Sequence, residues 1–220
     1  TIAENVQNVV VLAATDADAG DSVTFAITGG ADAALFEIDS DTQLRFKANS
    51  VPDYETSTAD GGGQEYVVTV TASDGANPAN TAAQTITVTI TDVNDEDPAF
   101  TSSATPTIAE NVQNVVVLAA TDADAGDSVT FAITGGADAA LFEIDSDTQL
   151  RFKANSVPDY ESSTADGGGQ DYVVIVTASD SAGSANTAAQ TITVTITDAN
   201  EAAPVFADGD SASANAAENQ

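Results

Sequence analysis

Apolar residues recur at every second position through three stretches of the chain. Val23, Phe25 and Ile27 alternate with Thr24 and Ala26; Tyr66, Val68 and Val70 alternate with Val67 and Thr69; Ile86, Val88 and Ile90 alternate with Thr85, Thr87, Thr89 and Thr91. A period of two sends one face to a core and the other to water, which predicts half-buried antiparallel strands. The Val, Ile and Thr content suits a pleated surface. Turn signals at Asp18-Ala19-Gly20-Asp21, Gly29-Gly30 and Gly61-Gly62-Gly63 separate the runs, and the last reads as a hairpin loop. An opening strand near residues 1 to 3, Val9 to Ala14, Leu35 to Ile38 and Leu44 to Ala48 bring the count to about seven strands in roughly 100 residues, which suits a Greek-key β-sandwich. Ala31 to Phe36 has room for a short turn of helix at most.

The pattern then repeats. Ile2 to Glu55 recurs residue for residue as Ile108 to Glu161, an offset of 106 that also carries Asp92 to Asp198. Most differences fall late, where Asp74-Gly75-Ala76-Asn77-Pro78 becomes Asp180-Ser181-Ala182-Gly183-Ser184. A third copy starts at Pro204-Val205-Phe206, echoing Pro98-Ala99-Phe100. The expected organisation is all-β: two tandem seven-stranded Greek-key sandwiches, residues 1–97 and 98–203, and the start of a truncated third repeat at 204–220. The sequence therefore reads as an interior piece of something longer.

Composition narrows the function. Thirty-five acidic against four basic residues give a net charge of −31, which repels nucleic acid and anionic membrane surfaces. With neither Cys nor His, disulfides, thiolate chemistry, imidazole bases and Cys- or His-ligated metals are excluded. An apolar content of 42% is enough for globular cores. No apolar run approaches the roughly 18 residues of a membrane span. No basic-then-apolar segment opens the sequence, so neither an anchor nor an export signal is expected.

The carboxylates are not scattered evenly. Five groups recur in order at predicted strand ends: Glu4-Asn5, Asp16-Ala17-Asp18 with Asp21, Asp53-Tyr54-Glu55, Ala72-Ser73-Asp74 and Asp92-Val93-Asn94-Asp95. Between the repeats, Asp92, Asn94, Asp95, Glu96 and Asp97 put four carboxylates and an amide within six residues. Such groups repel one another unless a cation sits among them, and a hard divalent ion takes six to eight oxygens.

The order A-E-N, D-x-D-x-G-D, D-x-E, A-x-D and D-x-N-D…P-x-F resembles that of cadherin repeats and covers essentially the whole chain. The resemblance implies calcium, about three ions at the central junction. Its ligands would be Glu4, Asp53, Glu55, Asp92, Asn94 and Asp95 from repeat 1 and Asp122, Asp124 and Asp180 from repeat 2. Backbone carbonyls of Val93, Glu96 and Asp127 would supplement them. Half-sites at the chain ends would use Asp16, Asp18, Asp21 and Asp74 at one and Glu110, Asp159, Glu161, Asp198, Asn200 and Glu201 at the other. Pro52 and Tyr54 depart from the family's Leu-Asp-Arg-Glu but keep both carboxylates. Glu201 replaces the aspartate found at Asp95, and the chain has no Trp to match the family's adhesive one.

Against this stands a solvated acidic surface with Asp capping turns, the default reading for Glu37, Asp39, Asp41 and Asp60. A glycosidase would need a unique cleft that near-identical repeats do not offer. A calcium-dependent carbohydrate-binding module is the stronger rival, but Tyr54, Tyr66, Phe25, Phe36 and Phe46 are better placed for the core. The sequence is thus expected to be a non-enzymatic, calcium-binding structural or adhesive repeat module of a large extracellular or cell-surface protein, a bacterial adhesin or extracellular matrix protein, in which calcium stiffens the inter-repeat junction into an extended rod. Its expected partners are neighbouring repeats and another surface protein or polysaccharide, with no membrane insertion.

Overall fold

A computed structural model describes residues 1–18, 22–76, 79–181, 186–201 and 203. The first repeat contributes β1 (Ile2–Ala3), β2 (Asn8–Val11), β3 (Thr24–Gly29), β4 (Phe36–Asp39), β5 (Gln43–Phe46), β6 (Glu65–Ser73) and β7 (Thr81–Thr91). The expected helical turn is a single 3-10 turn, Ala33–Leu35. β8 (Ala99–Phe100) opens the second repeat. It continues with β9 (Thr107–Ala109), β10 (Asn114–Val117), β11 (Ala120–Thr121), β12 (Thr130–Gly135), a 3-10 turn at Ala139–Leu141, β13 (Phe142–Asp145), β14 (Gln149–Phe152), β15 (Asp171–Ser179) and β16 (Thr187–Thr197).

In the first repeat one sheet has the order β1-β7-β6-β3 and the other β2-β5-β4; the second repeats this as β9-β16-β15-β12 and β10-β14-β13. Consecutive strands β1 and β2 lie in different sheets, which makes a sandwich of Greek-key type. Alternation decides the inner face. In β6, Tyr66, Val68 and Val70 are buried while Val67 and Thr69 are half-exposed, and in β7 Val88 and Ile90 are buried between exposed or half-exposed threonines. The first core gathers these with Leu12, Phe36, Leu44 and Phe46; Phe36 stacks on Phe46 at 4.3 Å and Tyr66 meets the Phe46 edge at 5.2 Å. Burying each such side chain contributes about 1.5–3 kcal/mol, an upper figure because denatured chains already bury part of it. The second core is the same set displaced by the repeat, with Phe100 added at its margin.

Two features differ from the alternating antiparallel reading. β1 runs parallel to β7, Ile2 opposite Ile90 and Ala3 opposite Thr91. A whole repeat of chain lies between the two strands, so no tight hairpin dictates their direction. In β2 a register shift between Asn8 and Val10 breaks the alternation, leaving Val10 and Val11 exposed and turning Leu12 inward.

Glycine is required at one turn of each repeat. Gly30 has φ +104, and a Cβ there would lie 2.4 Å from the Val67 carbonyl oxygen and 2.5 Å from Val68 Cα; Gly136 repeats this at φ +107.

The chain forms two compact units. The first comprises the described residues of Thr1–Ala99, Thr121–Val129 and Ser179–Ala188; the second those of Phe100–Ala120, Thr130–Ala178 and the residues from Ala189 onward. Two segments of the second repeat thus belong compactly with the first. Asp21 and the third copy from Pro204 lie outside the described residues.

Candidate metal centre

Sheet register builds the first part of the site. Because Ala3 pairs with Thr91, the residues that follow β1 and β7, Glu4 and Asp92, leave the same sheet end side by side, and the Glu4 N–H donates to the Thr91 carbonyl at 3.0 Å. Glu4 is buried, and its two carboxylate oxygens accept the backbone N–H groups of Tyr54 and Val93, each at 2.7 Å. Charge-assisted bonds of that kind hold the D-x-E loop and the D-x-N-D segment on one carboxylate. Asn5 adds a second staple. Its φ of +57 turns the chain, its N–H donates to the Pro52 carbonyl at 2.9 Å, and its Nδ2 donates to Asp95 Oδ2 at 2.6 Å. Asn tolerates the left-handed region better than most residues, a signal legible in the A-E-N motif whose staple role the sequence reading missed.

Within the first compact unit, the Thr121–Val129 segment completes the cluster. Asp124 is buried; its Oδ2 accepts the Glu96 N–H at 3.0 Å, its own N–H donates to Asp122 Oδ1 at 3.0 Å, and the Ala125 N–H donates to Asp92 Oδ2 at 3.0 Å. Asn186 Nδ2 donates to the Glu96 carbonyl at 2.9 Å and the Thr187 N–H to Asp97 Oδ1 at 3.2 Å. Carboxylate oxygens then meet in threes, all within 4.8 Å of one another: Glu4, Asp53 and Glu55; Glu55, Asp92 and Asp124; Glu55, Asp95 and Glu96; and Asp122, Asp124 and Asp127. Glu55 is common to three of these groups and Asp124 to two. The carboxylate of Glu96 takes part, whereas the sequence suggests only its carbonyl. Asp180 is buried and accepts the Asn186 N–H at 3.0 Å, Val93 is exposed, and Asn94 is half-buried beside them.

The electrostatics are those of an unbalanced anionic pocket. Burial, then the charges of Glu4 and Asp124 and a shared proton contact with Asp92, push Glu55 from its ordinary 4.5 up to about 7. Asp95 is raised by burial and by Glu4, Asp124, Asp53 and Asp92; Asp127 is raised by burial and by Asp180, Asp122 and Asp124. Asp53 goes the other way because Thr56 hydrogen-bonds it. Four carboxylate oxygens, Glu55 Oε1, Asp92 Oδ1, Asp122 Oδ2 and Asp124 Oδ1, are buried without a hydrogen-bond donor. Burial of that kind is costly without a compensating positive partner. No basic side chain supplies one: Arg45 pairs with Glu37 and Asp39, Arg151 with Glu143 and Asp145, and Lys47 and Lys153 reach the carbonyls of Ala34 and Ala140. Glu37 and Asp39, read from the sequence as a solvated acidic surface, have partly exposed side chains there, both paired with Arg45. An all-oxygen, multiply anionic donor set with orphaned oxygens fits a hard divalent cation.

The chain-end groups are less complete. Glu110 repeats the Glu4 staple, accepting from Tyr160 at 2.7 Å and Ala199 at 2.8 Å, and Glu110, Glu161 and Asp198 form one carboxylate triplet. Asn111 Nδ2 donates to Glu201 Oε2 at 2.6 Å. Asp159 is held low by Ser162, and Asn200 is exposed. In the first repeat Asp16 and Asp74 line one small cavity, but Asp16 closes a local turn onto the Asp18 N–H and Asp74 accepts the Ala76 and Asn80 N–H groups. Among the described residues no carboxylate triplet includes Asp16, Asp18 or Asp74. One acidic residue outside every motif, Asp32, is buried and accepts the Asp60 and Val67 N–H groups at 2.6 and 2.7 Å, which is a structural role.

Comparison with known proteins agrees with this architecture. Human Protocadherin Fat 1 is 30% identical over 206 residues, 91% of this chain and 4% of that protein, so the chain spans a small fraction of its relative. Among solved structures, mouse Cadherin-23 EC22-24 superposes with a TM-score of 0.68 at 19% identity, covering 91% of this chain and 63% of that one. Drosophila N-cadherin EC1-4 gives 0.66 at 18% identity, over 88% and 46%. At those identities the likeness speaks for the fold. The model of the cadherin domain matches residues 1–91 and again 105–197, and the chain therefore belongs to the cadherin-domain family.

Proposed function

We propose that this chain is a calcium-clamped structural and adhesive module, divided functionally at residues 1–97 and 98–203, in which about three ions hold the two repeats in a stiff, extended array. Repeats of this family are adhesion modules of extracellular proteins rather than enzymes. The observation that carries the reading is the set of orphaned, buried oxygens on Glu55, Asp92, Asp122 and Asp124, in a chain whose every basic side chain is engaged elsewhere. Glu4, Asp53, Glu55, Asp92, Asn94, Asp95, Asp122, Asp124 and Asp180 would hold the ions, with carbonyls of Val93, Glu96 and Asp127. Asp124, common to two triplets, would bridge two of them. Calcium supplies only positive charge and coordination there; the chain's own residues position the carboxylates through the Glu4 and Asn5 staples. Partners would be neighbouring repeats and a surface protein or polysaccharide.

Thermal unfolding in chelator and in about 10 mM calcium tests this, because extracellular calcium modules bind with Kd of about 10⁻⁴ to 10⁻³ M. A melting temperature that rises with calcium supports it; identical curves overturn it. Among the described residues the carbohydrate alternative finds no platform of several rings: Phe36, Phe46 and Tyr66 are buried, Phe25 and Tyr54 pack against the core, and Tyr160, at 36%, is a single exposed ring.

A further inference from the structure

Both repeats hold the middle residue of the D-x-E loop from two sides, and one of the two holders is a glutamine that belongs to no acidic motif. The Tyr54 N–H donates to Glu4 at 2.7 Å, while the Tyr54 carbonyl accepts Gln64 Nε2 at 2.7 Å. With its N–H and C=O both held, the two soft dihedrals of Tyr54 are fixed, and with them the plane of the peptide from which Glu55 departs. Gln64 is itself anchored, because its carbonyl accepts the N–H of Ile90, a core residue of β7, at 2.8 Å. The glycine-bearing loop between Glu55 and Gln64 is pinned along its length. Tyr66 Oη accepts the Thr58 N–H at 3.2 Å, Asp32 accepts the Asp60 N–H, and Ser57 Oγ donates to the Gly63 carbonyl. The second repeat does the same: Gln170 Nε2 donates to the Tyr160 carbonyl at 2.8 Å, the Ile196 N–H to the Gln170 carbonyl at 2.9 Å, and the Tyr160 N–H to Glu110 at 2.7 Å.

Stability alone does not account for this glutamine. Its Oε1 is buried without a donor in both copies, Gln64 and Gln170 alike, which counts against the folded state. Around it the two copies drift apart, Thr56 to Ser162, Glu65 to Asp171 and Thr69 to Ile175, while the glutamine stays. What it holds is the segment carrying Asp53 and Glu55, and among the described residues Glu55 is the carboxylate common to three of the clusters. We infer, resting on the proposed function, that Gln64 is a positioning residue for calcium: its Nε2 fixes the Tyr54–Glu55 peptide so that the Glu55 carboxylate already meets those of Asp92 and Asp124 before an ion arrives. Gln170 does the same for Glu161 beside Glu110 and Asp198. Groups that orient a ligand set metal affinity without touching the metal. Without the Nε2 bond Glu55 is still present but swings toward water, which relieves repulsion in the metal-free protein and weakens the loaded one.

The test compares the wild type with Gln64→Met and Gln170→Met, which keep the length of the side chain and remove both amide atoms. Calcium is titrated into each chain and half-saturation is read from the Asp124 amide resonance. Gln64→Met is expected to need about 10-fold more calcium there. Gln170→Met, the same substitution in the loop of the second repeat, is expected to match the wild type at Asp124. In chelator the melting temperature of Gln64→Met should stay at that of the wild type, since an orphaned oxygen leaves together with the bond. Amide exchange at Tyr54 should be several-fold faster in that variant, with Ile90 unchanged. A merely structural glutamine predicts the opposite pattern: both variants melt lower in chelator and neither moves the half-saturation at Asp124, which overturns the inference. Equal half-saturation and equal Tyr54 exchange in the wild type and Gln64→Met overturn it as well, and leave the proposed function standing. A wild-type chain with no calcium-dependent shift at any amide overturns the proposed function, and the ligand role of Gln64 falls with it.

Discussion

Glu55 and Asp124 concentrate the chemistry of the site on two side chains. Each belongs to more than one carboxylate triplet and each keeps a buried oxygen without a donor, so removing either relieves repulsion in the metal-free protein and, on the proposed function, would remove a ligand from the calcium-loaded one. Asp124→Ala should therefore leave the melting temperature in chelator unchanged or slightly raised and abolish most of the calcium increment. At 100 times Kd that increment is about 2.7 kcal/mol. A full increment in the variant, measured by calorimetry, would remove Asp124 from the ligand set. Glu55 also gives a pH signature. Its folded value, about 7, lies above its ordinary 4.5, so without metal its contribution to stability is fully present below 4.5 and is lost as pH rises through 7. Asp53 is lowered below its ordinary 3.8, so its contribution holds above that value and fades only under more acid conditions. Calcium needs the Glu55 carboxylate deprotonated. The gap in melting temperature between calcium and chelator should consequently narrow as pH falls from about 8 to about 5, chiefly because the chelator curve rises. A gap constant across that range would contradict the coupling.

At the scale of elements, the strands were legible because burial on one face leaves a period of two in the residues themselves. All seven strands of the first repeat lie where alternation or a short apolar run places them, from Ile2–Ala3 to Thr81–Thr91. The direction of β1 was not legible, since local pattern carries no information about a partner nearly ninety residues away in sequence. Nor was the inward turn of Leu12, which follows from a register shift set by β5. Acidic motifs marked the carboxylates that gather in the site, but the staples at Asn5 and Asn186 are ordinary polar residues whose role exists only once distant segments meet. Glycine at the β3 turn is a case where sequence and structure can be separated by experiment. Gly30→Ala must accept both a positive φ and a Cβ overlapping the β6 backbone, whereas Gly61→Ala, at φ +86, has open space around it. The first should cost about 3 kcal/mol or more and the second about 1 kcal/mol, read from urea midpoints. Equal losses at the two positions would mean that φ alone, and not the close approach to Val67 and Val68, fixes Gly30.

For the whole molecule the governing quantity is charge. A formal −31 on 220 residues is spread over surfaces that water and salt screen, but the cluster around Glu55 is buried enough to lift that group to about 7, so its repulsion is not screened away. Each sandwich has its own core of aromatic and branched side chains, and neither core depends on the acidic residues for packing. Removing calcium should thus loosen the connection between repeats before it unfolds either one. Small-angle scattering of the wild-type chain is expected to show a longer maximum dimension and a narrower conformational spread in calcium than in chelator, while far-UV circular dichroism stays the same. Magnesium should be a poor substitute at equal concentration, because it holds to octahedral geometry and sheds its water reluctantly, whereas calcium accepts six to eight oxygens in a flexible arrangement that a crowd of carboxylates such as those of Glu55, Asp92 and Asp124 could supply. Asp124→Ala in calcium should scatter like the wild type in chelator. If the variant instead keeps the calcium-loaded profile, the connection is stiffened by packing rather than by the ions, and the orphaned oxygens of this site require another partner.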